Sequence, residues 1–306
     1  MSTEGKTRIS YAVILTSFNA EDSLDQAIRS ILNQDIKASE IWIIDDCSTD
    51  NSLVKINSWA SENNTIRVII NEKNCGQSFG RNFAGFNSKS ELLIFFDDDD
   101  ISNSKRATAH IEMYLSGADL SFVSSQKIYP NQYTTLFQNK KITNFCPSPY
   151  EYARELLIGR TTESATLGWI PACTMAITRT AFEKLHGFDE NFRRLEDTEL
   201  VIRASKFAAL FSWSEEILVS RNSTYSDDKG GTLETKFELA LLEKHSDLFS
   251  KYEIREGKNL IKARSLYFGK RYISLVILIA LHPDLILAYP VRVKRFAKRI
   301  LHDLRK

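Results

Sequence analysis

Two hydrophobic patterns alternate through the first half of the chain. Runs of consecutive apolar residues, Tyr11 to Leu15, Ile41 to Ile44 and Leu92 to Phe96, fit strands covered on both faces, and Arg67 to Ile70 is a shorter run of the same kind. Between them the period changes. Leu24, Ala27, Ile28, Ile31 and Leu32 fall at i, i+3, i+4, i+7 and i+8, one apolar stripe of a helix facing a sheet. Leu53, Ile56 and Ala60 repeat that spacing after a polar turn in which Ser48 or Asp50 can cap, and a third helix is expected around Arg81 to Asn87 after the loop holding Gly76 and Gly80. The order βαβαβα followed by a strand predicts a parallel, doubly wound α/β sheet, in which ligands sit beyond the carboxyl ends of the strands.

Those ends are polar in a consistent way. The first strand runs into Thr16, Ser17 and Asn19, the second into Asp45 and Asp46, and the fourth into four successive carboxylates, Asp97 to Asp100. Adjacent carboxylates repel one another, and a hard divalent cation relieves that repulsion through oxygen ligands while keeping positions open for phosphate. A solvated acidic turn or helix start would also carry Asp, because Asp is favoured at an N-cap. Convergence of three polar clusters on one sheet edge favours the site.

A helix to about Ser116 and a strand over Asp119 to Ser124 complete the regular alternation, which stops near residue 125. Residues 126–170 hold scattered aromatics and Pro130, Pro147 and Pro149, with a short helix expected near Tyr150 to Ile158. Ala172 to Thr178 reads as a strand, Arg179 to Leu185 as a short helix, Gly187-Phe188-Asp189 as a turn, and Glu196-Asp197 as the start of a helix through Leu200, Val201 and Ala204. The expected organisation is a catalytic domain over 1–222, made of a nucleotide half (9–125) and an acceptor half (126–222), followed by a helical region with a basic tail over 223–306.

Composition, 43% hydrophobic and 26% charged, is that of an ordinary globular protein. The net charge of +1 hides an asymmetry. Residues 255–306 hold 13 Lys/Arg against 3 Asp/Glu, a net +10, leaving −9 on residues 1–254. An acidic main domain argues against nucleic acid as a partner. The basic tail, Arg292 to Lys306, spaces Val293, Phe296, Ile300 and Leu301 as an amphipathic helix would, for an anionic membrane surface or for packing on the catalytic domain. Tyr272 to Ala280 is apolar but too short to span a bilayer. Four dispersed cysteines without a CxxC pair and a polar opening segment lead us to expect a reducing cytoplasmic location, peripheral on the inner face of the membrane if the tail binds there. The five histidines lack ligand spacing.

The series Thr16-Ser17-Phe18-Asn19, Asp45-Asp46, Asn74-Cys75-Gly76, Arg81-Asn82, Asp97 to Asp100, Gly187-Phe188-Asp189 and Glu196-Asp197, in this order and spacing over about residues 9–220, resembles the family-2 inverting glycosyltransferases. The resemblance implies the GT-A fold and transfer of a sugar from a nucleotide-sugar, a uridine diphosphate sugar above all, to an acceptor hydroxyl on a saccharide or lipid-linked glycan. By position it implies that Thr16, Ser17 and Asn19 line the nucleotide pocket, that Asp46 accepts from the base, that Arg81 reaches the base or diphosphate, and that Asp98 lies beside the ribose. The DxD motif falls on Asp97 and Asp99, ligands of Mn²⁺ or Mg²⁺, with a register ambiguous by one residue in an all-Asp run. Asp197 becomes the general base and Glu196 its positioner on the acceptor side, although first-turn acids also suit a helix dipole. Trp169, before the acceptor-side strand, offers a ring either for stacking on a sugar or for the core. A sugar-nucleotide nucleotidyltransferase would need a Gly-rich basic loop after the first strand, which Thr16 to Asp22 lacks, and an inactive nucleotide-sugar binding module would make the acids incidental.

Overall fold

The computed structural model describes residues 9–129, 134–158, 170–222, 232–283 and 285. The chain divides into two compact units, Met1–Pro147 with Leu167–Thr224, and Ser148–Thr166 with Tyr225–Lys306.

The first unit opens β1 (Tyr11–Ser17), α1 (Leu24–Leu32), β2 (Glu40–Asp45), α2 (Ser52–Glu62), β3 (Ile66–Ile70), α3 (Gln77–Asn87) and β4 (Leu92–Asp97). Every residue of β1 and β2 is buried, as the uninterrupted apolar runs require, and the stripe of α1 buries Leu24, Ala27, Ile28 and Ile31 against them. There follow β5 (Asp100–Ser102), α4 (Arg106–Leu115), β6 (Leu120–Ile128), β7 (Thr134–Phe137) and β8 (Ile142–Phe145). In the second unit, α5 (Pro149–Ala153) continues into one π turn; the chain then returns to the first unit with β9 (Met175–Thr178), α6 (Arg179–Lys184), α7 (Glu196–Lys206) and β10 (Phe211–Asn222).

The strand order is β3-β2-β1-β4-β9-β6-β10-β5. Its first four strands are parallel, β9 runs antiparallel to both β4 and β6, and β10 is parallel to β6. Connections from β1 proceed outward to β3, and α3 then carries the chain back across to β4, so the direction of winding reverses between β1 and β4. A crevice opens at such a reversal beyond the carboxyl ends. Register sets its walls: Thr16 pairs with Ile44 on one side and Asp97 on the other, and Ser17 lies beside Asp45.

Two details depart from the sequence reading. Ala172 to Thr174 is a 3₁₀ turn rather than the start of a strand, because the Thr174 hydroxyl and amide both return to the Pro171 carbonyl. The strands β5, β7, β8 and β10 are ones that the pattern did not announce. The second unit adds α8 (Thr232–Lys244), α9 (Lys251–Phe268) and α10 (Tyr272–Leu281) to α5. Ser250 begins α9 with a full capping box to Glu253. Among the described residues no helix is long and apolar enough to cross a membrane.

Candidate active site

At the end of β2, Asp46 is saturated on one side only. Its Oδ1 accepts from Asn71 Nδ2 (2.8 Å) and the Cys75 amide (2.7 Å), and its Oδ2 accepts from the Gly76 amide (2.8 Å). Asp46 therefore shapes the loop before α3, and Gly76 turns that loop at φ +86°, a conformation glycine adopts without strain. Asn19, in a left-handed conformation, ties the next loop by accepting from the Thr49 amide (2.8 Å) and by donating its own amide to Ser48 Oγ (3.0 Å). Thr16 and Ser17 are buried at the strand end, and the Phe18 amide donates to Asp98 Oδ2 (3.0 Å). Burial, backed by the charges of Asp99 and Asp97, pushes Asp98 up to about 7 against the pull of that amide.

Arg81 stands where the expectation did not put it. Its side chain is 1% exposed; Nη2 donates to Asp97 Oδ1 (2.7 Å) and Gln77 Oε1 (2.9 Å), and Nη1 to Glu196 Oε1 (2.8 Å). A guanidinium so placed bridges two acids, at the position that the resemblance assigned to the base or diphosphate. Its neighbour Asn82 grips Phe188 at both ends, accepting from the Phe188 amide (2.7 Å) and donating to its carbonyl (2.9 Å). Successive residues of α3 thus dock the Gly187-Phe188-Asp189 turn and the Glu196-Asp197 helix start against the strand ends.

The acidic run splits by burial. Asp97, Asp98 and Asp99 are partly exposed, and the Asp99 carbonyl accepts from Asn222 Nδ2 (2.9 Å). Asp100 is 2% exposed, because β5 pairs it with Arg221 of β10. Asp97, Asp100 and Cys173 each bring one ligand atom within 4.8 Å of the others, the one such group found among the described residues. Of the two residues expected as metal ligands, Asp97 is in this group and Asp99 is not, while Asp100 and Cys173 are in it. Asp100 Oδ2 is buried without a hydrogen-bond partner, and burial with the charges of Asp97 and Asp99 raises this carboxyl well above its ordinary range. The two carboxylates, with one oxygen of Asp100 orphaned, are hard donors that fit a divalent cation, whereas the Cys173 thiol is a soft one.

Asp197, partly exposed at the start of α7, accepts at Oδ1 from the Thr198 amide (2.6 Å) and at Oδ2 from the Ala172 amide (3.3 Å). Leu195 before the pair is left-handed at φ 62°, one of several non-glycine residues so held, with Asn19 and Cys47 also bordering the site; such conformations are costly and gather at functional sites. Two links join the acid pair to the acidic run. Arg81 spans Asp97 and Glu196, and the 3₁₀ turn offers its Ala172 amide to Asp197 and its Cys173 thiol to Asp100. Trp169 lies outside the described residues, as does Arg292 to Lys306.

The model of the glycosyl transferase family 2 matches residues 12–186, more than half of the chain. The chain belongs to this family. An uncharacterized glycosyltransferase of Haemophilus influenzae is 25% identical over 192 residues, which are 63% of this chain and 60% of that protein, so the chain spans less than two thirds of that relative's length. The UDP-Glc:alpha-D-GlcNAc-diphosphoundecaprenol beta-1,3-glucosyltransferase WfgD of Escherichia coli is 30% identical over 112 residues, 37% of this chain and 43% of that one. In fold, TarS of Staphylococcus aureus (residues 1–349), solved in complex with UDP-GlcNAc, superposes with a TM-score of 0.62 at 16% identity, covering 85% of this chain and 73% of that one. The fold of this family 2 chain is the GT-A fold expected.

Burial and the charge of Asp197 push Glu196 up to about 7 from an ordinary 4.5, against the pull of Arg81, and burial raises Asp197 as well. Folded protein then binds more protons than unfolded protein between about pH 4.5 and about 7. The stability contributed by a neutral Glu196 is complete below that window and is lost as pH rises through about 7. Denaturation by urea across the window is expected to show the native chain losing stability with rising pH more steeply than Glu196→Gln. Parallel slopes would show that Arg81 keeps Glu196 ionised throughout.

Proposed function

We propose that the chain is a metal-dependent inverting glycosyltransferase that moves a sugar from a nucleotide-sugar, a UDP-sugar, to an acceptor hydroxyl in the building of a surface polysaccharide or glycolipid. The observation that carries this reading is the joining of two acid groups far apart in sequence: Arg81 holds Asp97 of the strand end to Glu196 beside Asp197.

Thr16, Ser17 and Asn19 line the nucleotide side in this reading, and Asp98 lies by the ribose. Asp46 Oδ2 keeps one lone pair beyond its bond to Gly76, enough to accept from a uracil N3–H. Asp97 and Asp100, with Asp99 beside them in the run, would hold Mn²⁺ or Mg²⁺, and a bound cation would supply charge neutralisation on the departing diphosphate. Asp197 takes the proton from the acceptor hydroxyl; the freed oxygen attacks the anomeric carbon from the face opposite the diphosphate as that C–O bond breaks, which inverts the centre. The pKa of Asp197, raised by burial, suits a base, since a higher proton affinity makes the carboxylate a better acceptor. Glu196, fixed by Arg81 and Gln77, positions it. The acceptor class, a saccharide free or carried on a lipid, is supported by the diphosphoundecaprenol-linked substrate in the name of the E. coli relative.

A panel of nucleotide-sugars incubated with Mn²⁺ tests the reading. Release of UDP from a UDP-sugar, abolished by chelation and by Asp99→Asn, is expected. Undiminished release by Asp99→Asn would move the cation to Asp97 and Asp100, and tight donor binding without release would leave a binding module.

A further inference from the structure

Helix α10 is built the wrong way round for a helix that packs only against protein. It buries Leu275 and Leu278, yet Ile273 (81% exposed), Val276 (60%), Ile277 (54%) and Leu281 (70%) face solvent, with Ala280 exposed among them. These five positions follow i, i+3, i+4, i+7 and i+8, so they form one continuous apolar stripe. Scattered surface apolar residues need no explanation, but a contiguous stripe marks an interaction surface.

The charge along the chain before the stripe is of one sign, and Asp284 follows it three residues after Leu281. No acid occurs from Gly257 to Pro283, whereas Lys258, Lys262, Lys270 and Arg271 are exposed, and Arg264 is paired with Glu238 of α8. Lys270 and Arg271 stand immediately before the stripe. A ten-residue helix, about 15 Å long, is half the length a bilayer core demands, so α10 does not span one.

We infer that α10 docks flat on an anionic phospholipid surface, with the stripe at the acyl boundary and Lys270 and Arg271 among the headgroups. Charge selects this occupant. A second copy meeting the stripe about a two-fold axis would bring the Lys270-Arg271 pairs toward each other, and the chain's own segment 292–306 carries seven cations. Only an anionic surface complements the apolar and cationic features together. The inference is independent of the transferase reading, because binding is measured without donor or acceptor.

Full-length protein is sedimented with vesicles of phosphatidylcholine alone and of phosphatidylcholine mixed with phosphatidylglycerol. Binding to the mixed vesicles only, weakened by salt, is expected. Ile273→Gln with Ile277→Gln is expected to lower the partition coefficient by about tenfold or more, since each isoleucine loses apolar burial. Lys270→Glu with Arg271→Glu is expected to lower it by about 25-fold or more, about fivefold per lost cation. All four positions are exposed, so the fold is retained, checked by an unchanged circular dichroism spectrum. Absence of binding to anionic vesicles at low salt would overturn the inference. So would binding unchanged in the Gln variant, which would move the contact off α10, or a dimer in solution dissociated by those substitutions, which would make a second copy the occupant.

Discussion

Asp197→Asn is expected to lower turnover by about 10²–10⁴, the usual contribution of a positioned base, while the donor's dissociation constant stays unchanged. Asparagine preserves shape and its one oxygen can still accept from the Thr198 amide (2.6 Å), so the start of α7 should remain in place, while its Nδ2 cannot replace the oxygen that takes the longer bond from the Ala172 amide (3.3 Å). What it cannot do is take a proton. Turnover of the native chain should rise with pH as Asp197 ionises, and this dependence should vanish from the residual activity of the variant; the base is raised by its burial, so the rise lies above the ordinary carboxylate range. Steady-state rates with a matched acceptor, together with calorimetric titration of the donor nucleotide, separate the outcomes. Near-normal turnover would reduce Asp197 to a first-turn acid of α7. Loss of donor binding would make it a donor ligand.

The parallel half of the sheet was readable because burial on both faces leaves an unmistakable record. Tyr11 to Leu15, Ile41 to Ile44 and Leu92 to Phe96 admit no polar residue, and all of them are buried. β10 left no such record. Its buried Ser212 is hydrogen-bonded to Asn144, so alternation with Phe211 and Trp213 reads as a mixed loop until the partner strand is known. The turn at Ala172 to Thr174 was hidden for a similar reason, since only the hydrogen bonds to Pro171 distinguish it from an extended segment.

The site divides in the same way. Strand ends announced the acids, but four identical residues carry no mark of which is buried. The burial of Asp100 comes from the pairing of β5 with β10, more than 100 residues later. Cys173, one of four dispersed cysteines, acquires a place beside Asp97 and Asp100 only when β9 is inserted between β4 and β6. The resemblance, carried over by position, gave Arg81 to the base or diphosphate. The face of α3 that carries it turns inward instead.

That inward turn makes the second large prediction. Arg81→Leu keeps most of the volume and removes the charge, leaving Asp97 and Glu196 without their shared cation at a site where the arginine is 1% exposed. Above about pH 7, where Glu196 is ionised, removing one partner of a buried ion pair costs about 3–5 kcal/mol, mostly because the remaining charge is stranded; below it Glu196 is neutral and the loss is smaller. A loss of this size should appear in urea denaturation. Adding Glu196→Gln to Arg81→Leu should recover part of it, because one stranded carboxylate is then gone and the two losses cease to be additive. Arg81→Lys should fall between, since one ammonium lacks the planar fork that reaches Asp97, Gln77 and Glu196 together. The alternative, in which Arg81 serves the donor diphosphate, has the opposite signature: Arg81→Leu would keep the stability of the native chain and lose donor affinity alone. A bridge predicts that stability falls first, and that any loss of donor binding follows from the displacement of Asp97.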